Sequence, residues 1–257
     1  MECGHFFWGT ILASVFWSTA GADGSEEEDS KERSSFSAEQ LVAGSLANLP
    51  SDAFDSLKDY SGDPEARAIL ANCAAVMTPN GTIGGIARDG GGLRCFLADA
   101  DHSRFFLRDL TRISYRSSFQ LAVVDEKPRD AKLYFRVLLT RESEDSQVEY
   151  FANWGHDAEK YGYAYQAPQR LLGWPKRQKK IPCGSSRIIS LVTIGADSSV
   201  RNDVELEVVS GNPSTECLNA IDEYLLGSLF VPGRKGEKLI EARHTELWGN
   251  WMRGWRR

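Results

Sequence analysis

Histidine is scarce in this 257-residue chain, with 4 in all, and neither a His-Glu-x-x-His run nor a ligand-like His/Cys spacing occurs. His102, beside Asp99 and Asp101, offers the nearest approach to a general base, but its place at a helix start reads as N-cap surroundings. A Gly-x-Ser-x-Gly nucleophile turn is also missing, since Ser185 and Ser186 follow Cys183-Gly184 instead. Gly90-Gly91-Gly92 has no Lys-Ser or Lys-Thr behind it and is a turn rather than a phosphate loop. The cysteines are too widely and irregularly spaced for a zinc ribbon. These absences point away from an enzyme and from a metal or cofactor. An exported hydrolase with an unfamiliar active site stays as the alternative.

Excess positive charge is absent too. A formal net charge of −6 argues against nucleic acid as the main partner. Nor is there an apolar run of the roughly 20 residues that a spanning helix needs. The N-terminal run Phe6–Trp17 is shorter and ends at Ala20-Gly21-Ala22, a small-x-small cleavage pattern, so residues 1–22 read as a signal peptide. Met1–His5 holds Glu2 and no Lys or Arg, which keeps an uncleaved, anchored structural protein as the other reading. Cys3 would leave with the signal. Cys73, Cys95, Cys183 and Cys217 remain, an even number that suits two disulfides in an exported protein.

What the chain does contain is a pattern that occurs twice. Six residues separate Phe119 from Glu126-Lys127, and six separate Phe230 from Glu237-Lys238. Each copy precedes a β-rich run, Ala131–Leu139 or Leu239–Leu247, and follows a strand–turn–strand signal and a helical pattern. The expected organisation is α+β: two tandem units, each a β-β-α-β sheet packed on one helix. After an acidic linker at 23–36, the first unit spans 37–140 and begins with short helices over Ser37–Tyr60, broken at Pro50 and predicted from Leu41, Val42, Leu46, Leu49, Phe54 and Leu57. Its strands are predicted at Cys73–Thr78 and Thr82–Arg88 about an Asn80-Gly81 turn, and its helix starts at Asp101. Residues 141–182 read as a connecting segment with helical character near Val148–Trp154.

The second unit spans 183–248. Arg187–Ile194 reads as a strand, and Val204–Val208 alternates strictly, so one face should be buried and the other wet. Ser214 or Thr215 caps a helix bearing Leu218, Ile221, Leu225 and Leu226, and Lys238–Trp248 closes the unit. Each unit holds two cysteines, which favours the pairs Cys73–Cys95 and Cys183–Cys217. Residues 249–257 form a Trp/Arg tail in which Trp251 and Trp255 could meet a membrane interface, a partner's groove or the tail's own domain. Asn80-Gly81-Thr82 is a glycosylation sequon better explained by its turn, and Lys176–Lys180 reads as a solvated basic linker.

Leu191–Val200, Val208-Val209-Ser210-Gly211, the helix Cys217–Leu226, Phe230-Val231-Pro232 and Gly236-Glu237-Lys238 together resemble the TonB C-terminal domain, of the TonB/TolA type. Asn80-Gly81, Ser118-Phe119 and Asp125–Pro128 carry the likeness in the first copy. The second turn is Asp197-Ser198 rather than Asp-Gly, and its last loop lacks the family's proline. The resemblance implies a periplasmic protein of a Gram-negative bacterium whose last strand is an open edge. That edge would pair with an envelope protein, such as a segment of an outer-membrane transporter. Lys238–Trp248 is the matching strand, with Ile240, Ala242, His244 and Glu246 sharing one face. With 9 prolines and only the stretch 23–36 as a spacer, the chain lacks the reach of a motor-coupled transducer, since extended chain gains about 3.3–3.6 Å per residue.

Overall fold

The computed structural model describes residues 36–48, 68–80, 94–97, 116, 118–142, 145–172, 181–201 and 204–249. Within them the protein is mostly antiparallel sheet with few helices, compatible with the α+β class. The strands are β1 (Leu41–Val42), β2 (Ser45–Asn48), β3 (Ala68–Met77), β4 (Arg94–Leu97), β5 (Ser118–Gln120), β6 (Ala122–Val124), β7 (Lys127–Arg129), β8 (Ala131–Glu142) and β9 (Asp145–Phe151). Then come α1 (Ala158–Tyr161), β10 (Gln169–Arg170), β11 (Arg187–Ile194), β12 (Glu205–Ser210), α2 (Thr215–Leu226), β13 (Phe230–Val231), β14 (Gly233–Lys235), β15 (Lys238–Ile240) and β16 (Ala242–Gly249). No helix among the described residues is long and apolar enough to cross a membrane.

The larger sheet has the order β4-β3-β8-β9, and a second has the order β12-β11-β16. β3 lies between β4 and β8, as β11 lies between β12 and β16, with β9 added beyond β8 in the larger sheet. The repeated Glu-Lys pair sits at a matching place in each half. Val124 pairs with Lys127 and Lys235 with Lys238, so each pair closes a two-residue hairpin. Asp125 and Glu126 have φ of 49° and 63°, as a type I′ turn requires, and Gly236 has φ of 60°. Each hairpin runs within one residue into the long strand, β8 or β16.

Three expectations are corrected. Up to Asn48 the predicted short helices after Ser37 give way to one 3-10 turn, Ala38–Gln40, and then to β1 and β2, and the rest of that stretch lies outside the described residues. Leu41 is buried and pairs with Val124, so sheet pairing overrides a helical spacing that was itself weak. The helical character predicted near Val148–Trp154 is instead strand β9, held by a two-residue hairpin in which Glu142 faces Asp145. Lys238–Trp248, read as one strand, breaks at Glu241, because Ile240 pairs with Gly233 of β14 whereas Ala242 pairs with Ile194 of β11. The strand expected at Thr82–Arg88, the helix expected from Asp101, and His102 lie outside the described residues, among which β3 pairs with β4 and β8.

The second half is built much as its sequence predicts. Burial alternates residue by residue along β11, with Ile188, Ser190, Val192 and Ile194 turned toward α2. Ser214 caps α2 by accepting the Cys217 N–H at 3.2 Å. Cys217, Ile221, Tyr224 and Leu225 form the helix's buried stripe. Burying Ile221 and Leu225 contributes about 1.5–3 kcal/mol apiece. The Cys183–Cys217 disulfide fastens the chain ahead of β11 to this helix. In the first half Cys73 is disulfide-bonded, and its register partner across β3 and β4 is Cys95.

Residues 145–172 are structural rather than a loose connection. β9 extends the first sheet, β10 pairs with β13, and Leu171 bridges to Ala131. Buried Trp154 donates through Nε1 to the Cys73 carbonyl at 3.1 Å and packs edge-on to Tyr134. Trp154, Tyr134, Ala74 and Leu247 form one cluster with residues from both halves.

Candidate strand-edge interface

β16 and β12 are the two outer strands of the three-stranded sheet, and their surroundings differ. Along β16 the N–H groups of Arg243 and Leu247 point away from β11. Asp157 Oδ2 accepts the Arg243 N–H at 2.7 Å, and the Tyr134 hydroxyl meets the Leu247 N–H at 3.4 Å. Arg243 Nε adds a bond to Asp157 Oδ1 at 2.9 Å. Tyr161 donates its hydroxyl to the Glu241 carbonyl at 2.7 Å, just before the strand begins. Side chains from the connecting segment and from β8 therefore take up backbone groups that an incoming strand would need.

The side chains of this strand are also withdrawn from solvent. Ile240, Ala242, His244 and Glu246, expected to share one partner-facing surface, are all buried. Ala242, His244 and Glu246 lie opposite Ile194, Val192 and Ser190 and face the α2 side of the sheet. Ile240 lies beyond the break at Glu241. The expected open last strand is thus a walled strand here. In the larger sheet Ala131–Leu139 lies within β8, where Arg136–Leu139 are paired on both sides, by β3 and β9, and Ala131 bridges to Leu171.

Glu246 is the focus of a buried polar cluster. Arg170 of β10 grips it with two bonds, Nε to Oε2 at 2.6 Å and Nη2 to Oε1 at 2.7 Å, and donates Nη1 to the Tyr224 hydroxyl at 3.0 Å. His244 donates Nδ1–H to the Pro168 carbonyl at 2.9 Å, with Nε2 at 3.4 Å from Glu246. Lys132 Nζ lies at 3.9 Å from the same carboxylate. Burial alone would raise the Glu246 pKa and lower that of Arg170. The bidentate pairing outweighs it and holds Glu246 far below the usual carboxylate range, with Arg170 pushed higher still. The Tyr134 and Phe230 rings stand edge-on to His244. Sealed on every side, this cluster fixes β10 against β16 and the first half against the second. Sequence reasoning assigned Glu246 to a partner and had no signal for Arg170, which lies 76 residues away.

β12 has the opposite character. Among the described residues it pairs with β11 alone. Val208 and Val209 are 44% and 42% exposed, two of only four large apolar side chains exposed to that degree among the described residues. Val204 and Leu206 pack partly on the α2 core, as the alternation predicts, but Val208 on the same side stays in solvent. Glu205 and Glu207 are exposed, and neither makes an ion pair or side-chain hydrogen bond among the described residues. β9 also ends a sheet, but its exposed Gln147 and Glu149 are polar.

Trp251, Trp255 and Lys176–Lys180 lie outside the described residues. Among the described residues no three His, Cys, Asp or Glu side chains are grouped to hold a metal ion. No family model, curated protein or solved structure matches the chain.

Proposed function

We propose that this chain is an exported protein-interaction module of the cell envelope, resembling the TonB C-terminal domain, which takes an extended segment of a partner protein onto a sheet edge. The edge is β12. The observation that carries the reading is the contrast between the two borders of one sheet: β16 is closed by Asp157 and Tyr134, while β12 pairs with β11 alone among the described residues and carries exposed valines. Backbone groups of an open strand supply affinity for any extended segment, and alternate side chains select among segments. Tandem duplication of one unit is part of the proposal. It is supported by the shared inner-strand order and by the two hairpins that carry Glu126-Lys127 and Glu237-Lys238. A periplasmic location in a Gram-negative bacterium is proposed with it, supported by the Cys183–Cys217 disulfide.

A photo-crosslinking amino acid at Val208, introduced in cells, tests the reading. The expected result is a discrete protein adduct that disappears when Leu206→Pro blocks the outer edge, with no equivalent adduct from the same probe at exposed Tyr163. Equal labelling from both positions, or an adduct indifferent to Leu206→Pro in a protein that still folds, would refute it.

A further inference from the structure

We infer that the segment accepted by β12 carries Lys or Arg at alternate positions with apolar residues between them. This rests on the strand-edge reading above and adds the chemistry of the partner.

The direction of the backbone bonds sets the pattern. Arg201 N–H donates to the Thr193 carbonyl at 2.9 Å on the β12 side of β11, whereas Arg243, opposite Thr193, donates away from β11 to Asp157. Odd-numbered residues of β11 therefore bond toward β12. Ile189 pairs with Glu207 and Leu191 with Glu205, so both glutamates turn their backbone groups inward. Leu206 and Val208, between and beside them, point theirs outward.

An incoming strand would exchange its backbone bonds with Leu206 and Val208. Its residues opposite Glu205 and Glu207 would then occupy the non-hydrogen-bonded sites, where facing side chains come closest. Both carboxylates are exposed and make no ion pair among the described residues, Glu205 having only a charge coupling to His156, so a cation at each facing site would be favoured over an anion. On the other face, Leu206 and exposed Val208 favour apolar neighbours.

A second copy of this chain is a poorer occupant. Antiparallel pairing of two β12 strands centred on Glu207 sets Glu207 against itself, and centring on Leu206 sets Glu205 against Glu207. Like charges directly opposite destabilise a strand pair. Centring on Val208 places Glu207 opposite Val209, next to the register irregularity at Arg187 and Ile188.

The test uses the purified full chain and fluorescein-labelled octapeptides: alternating Lys-Val, alternating Glu-Val, and Lys-Val interrupted by proline. Anisotropy titrations are run on the wild type and on Glu205→Lys/Glu207→Lys, with amide exchange followed at Leu206 and Val208. Two favourable cross-strand charge pairs predict that Lys-Val binds about 10-fold or more tighter than Glu-Val. It should also outbind the proline-interrupted peptide, slow exchange at both amides, and lose to Glu-Val in the charge-reversed variant. If both extended peptides protect β12 equally, the charge assignment fails and the strand-edge reading survives. If neither protects it, or if the proline-interrupted peptide binds as well as Lys-Val, both fail. A dimer in sedimentation that Val208→Lys abolishes would overturn the proposal in favour of a second copy.

Discussion

Replacing Glu246 by Gln removes one charge of a pair that the fold keeps from water on every side. The carboxylate is 1% exposed and bonded twice to Arg170, which is 3% exposed. The variant leaves a guanidinium buried with only the Tyr224 hydroxyl and weaker amide contacts around it. Breaking such a pair costs about 3–5 kcal/mol. At about 2–4 °C per kcal/mol for a protein of this size, Tm should fall by about 6–20 °C. Replacing both partners, Arg170→Met with Glu246→Leu, should recover most of the loss, because two apolar groups leave no orphaned charge. The acid dependence carries its own signature. Glu246 has its pKa depressed in the folded state, so its stabilisation is present above the unfolded value of about 4.3 and is lost as pH falls below it. Scanning calorimetry of the three proteins between pH 7 and pH 2 checks both points. A single-variant loss below 1 kcal/mol, or a wild-type acid slope unchanged in Glu246→Gln, would refute the reasoning.

Two further outcomes are expected. Joining Cys183 to Cys217 closes a loop of sequence separation 34. Cys183→Ala/Cys217→Ala should therefore cost about 4 kcal/mol by loop entropy, read as a lower denaturant midpoint in urea. Gly249 has φ of 86°, and a Cβ there would lie 1.9 Å from the Ser186 carbonyl oxygen. Gly249→Ala should thus destabilise by at least about 1–3 kcal/mol and speed exchange at the adjoining ends of β11 and β16.

Legibility in the sequence followed the range of the interactions. The cap Ser214, the apolar stripe of α2 and the alternation of β11 are local, and each was readable from a handful of neighbouring residues. The Phe…Glu-Lys pattern marked two real hairpins because a two-residue turn is specified by its own residues. β1 and β9 were misread because their partners, Val124 and the far side of the β8 hairpin, decide their state, while their spacing alone suits a helix. The site failed for the same reason. A final strand bearing His244 and Glu246 looks open until Asp157, Tyr134 and Arg170, all distant in sequence, are brought against it. β12 was legible as a strand, but the solvent exposure of Val208 depends on where α2 stops covering the sheet.

The Asp157–Arg243 clasp bears on how this sheet can assemble. A ribbon that lengthens by adding strands needs two receptive borders, one to give and one to receive. With the outward N–H groups of Arg243 and Leu247 taken up by Asp157 and Tyr134, the β16 side of this sheet is a poor second border. Two copies of the chain could not be joined border to border through β12 and β16. The clasp therefore works against fibre growth by head-to-tail strand addition through this sheet.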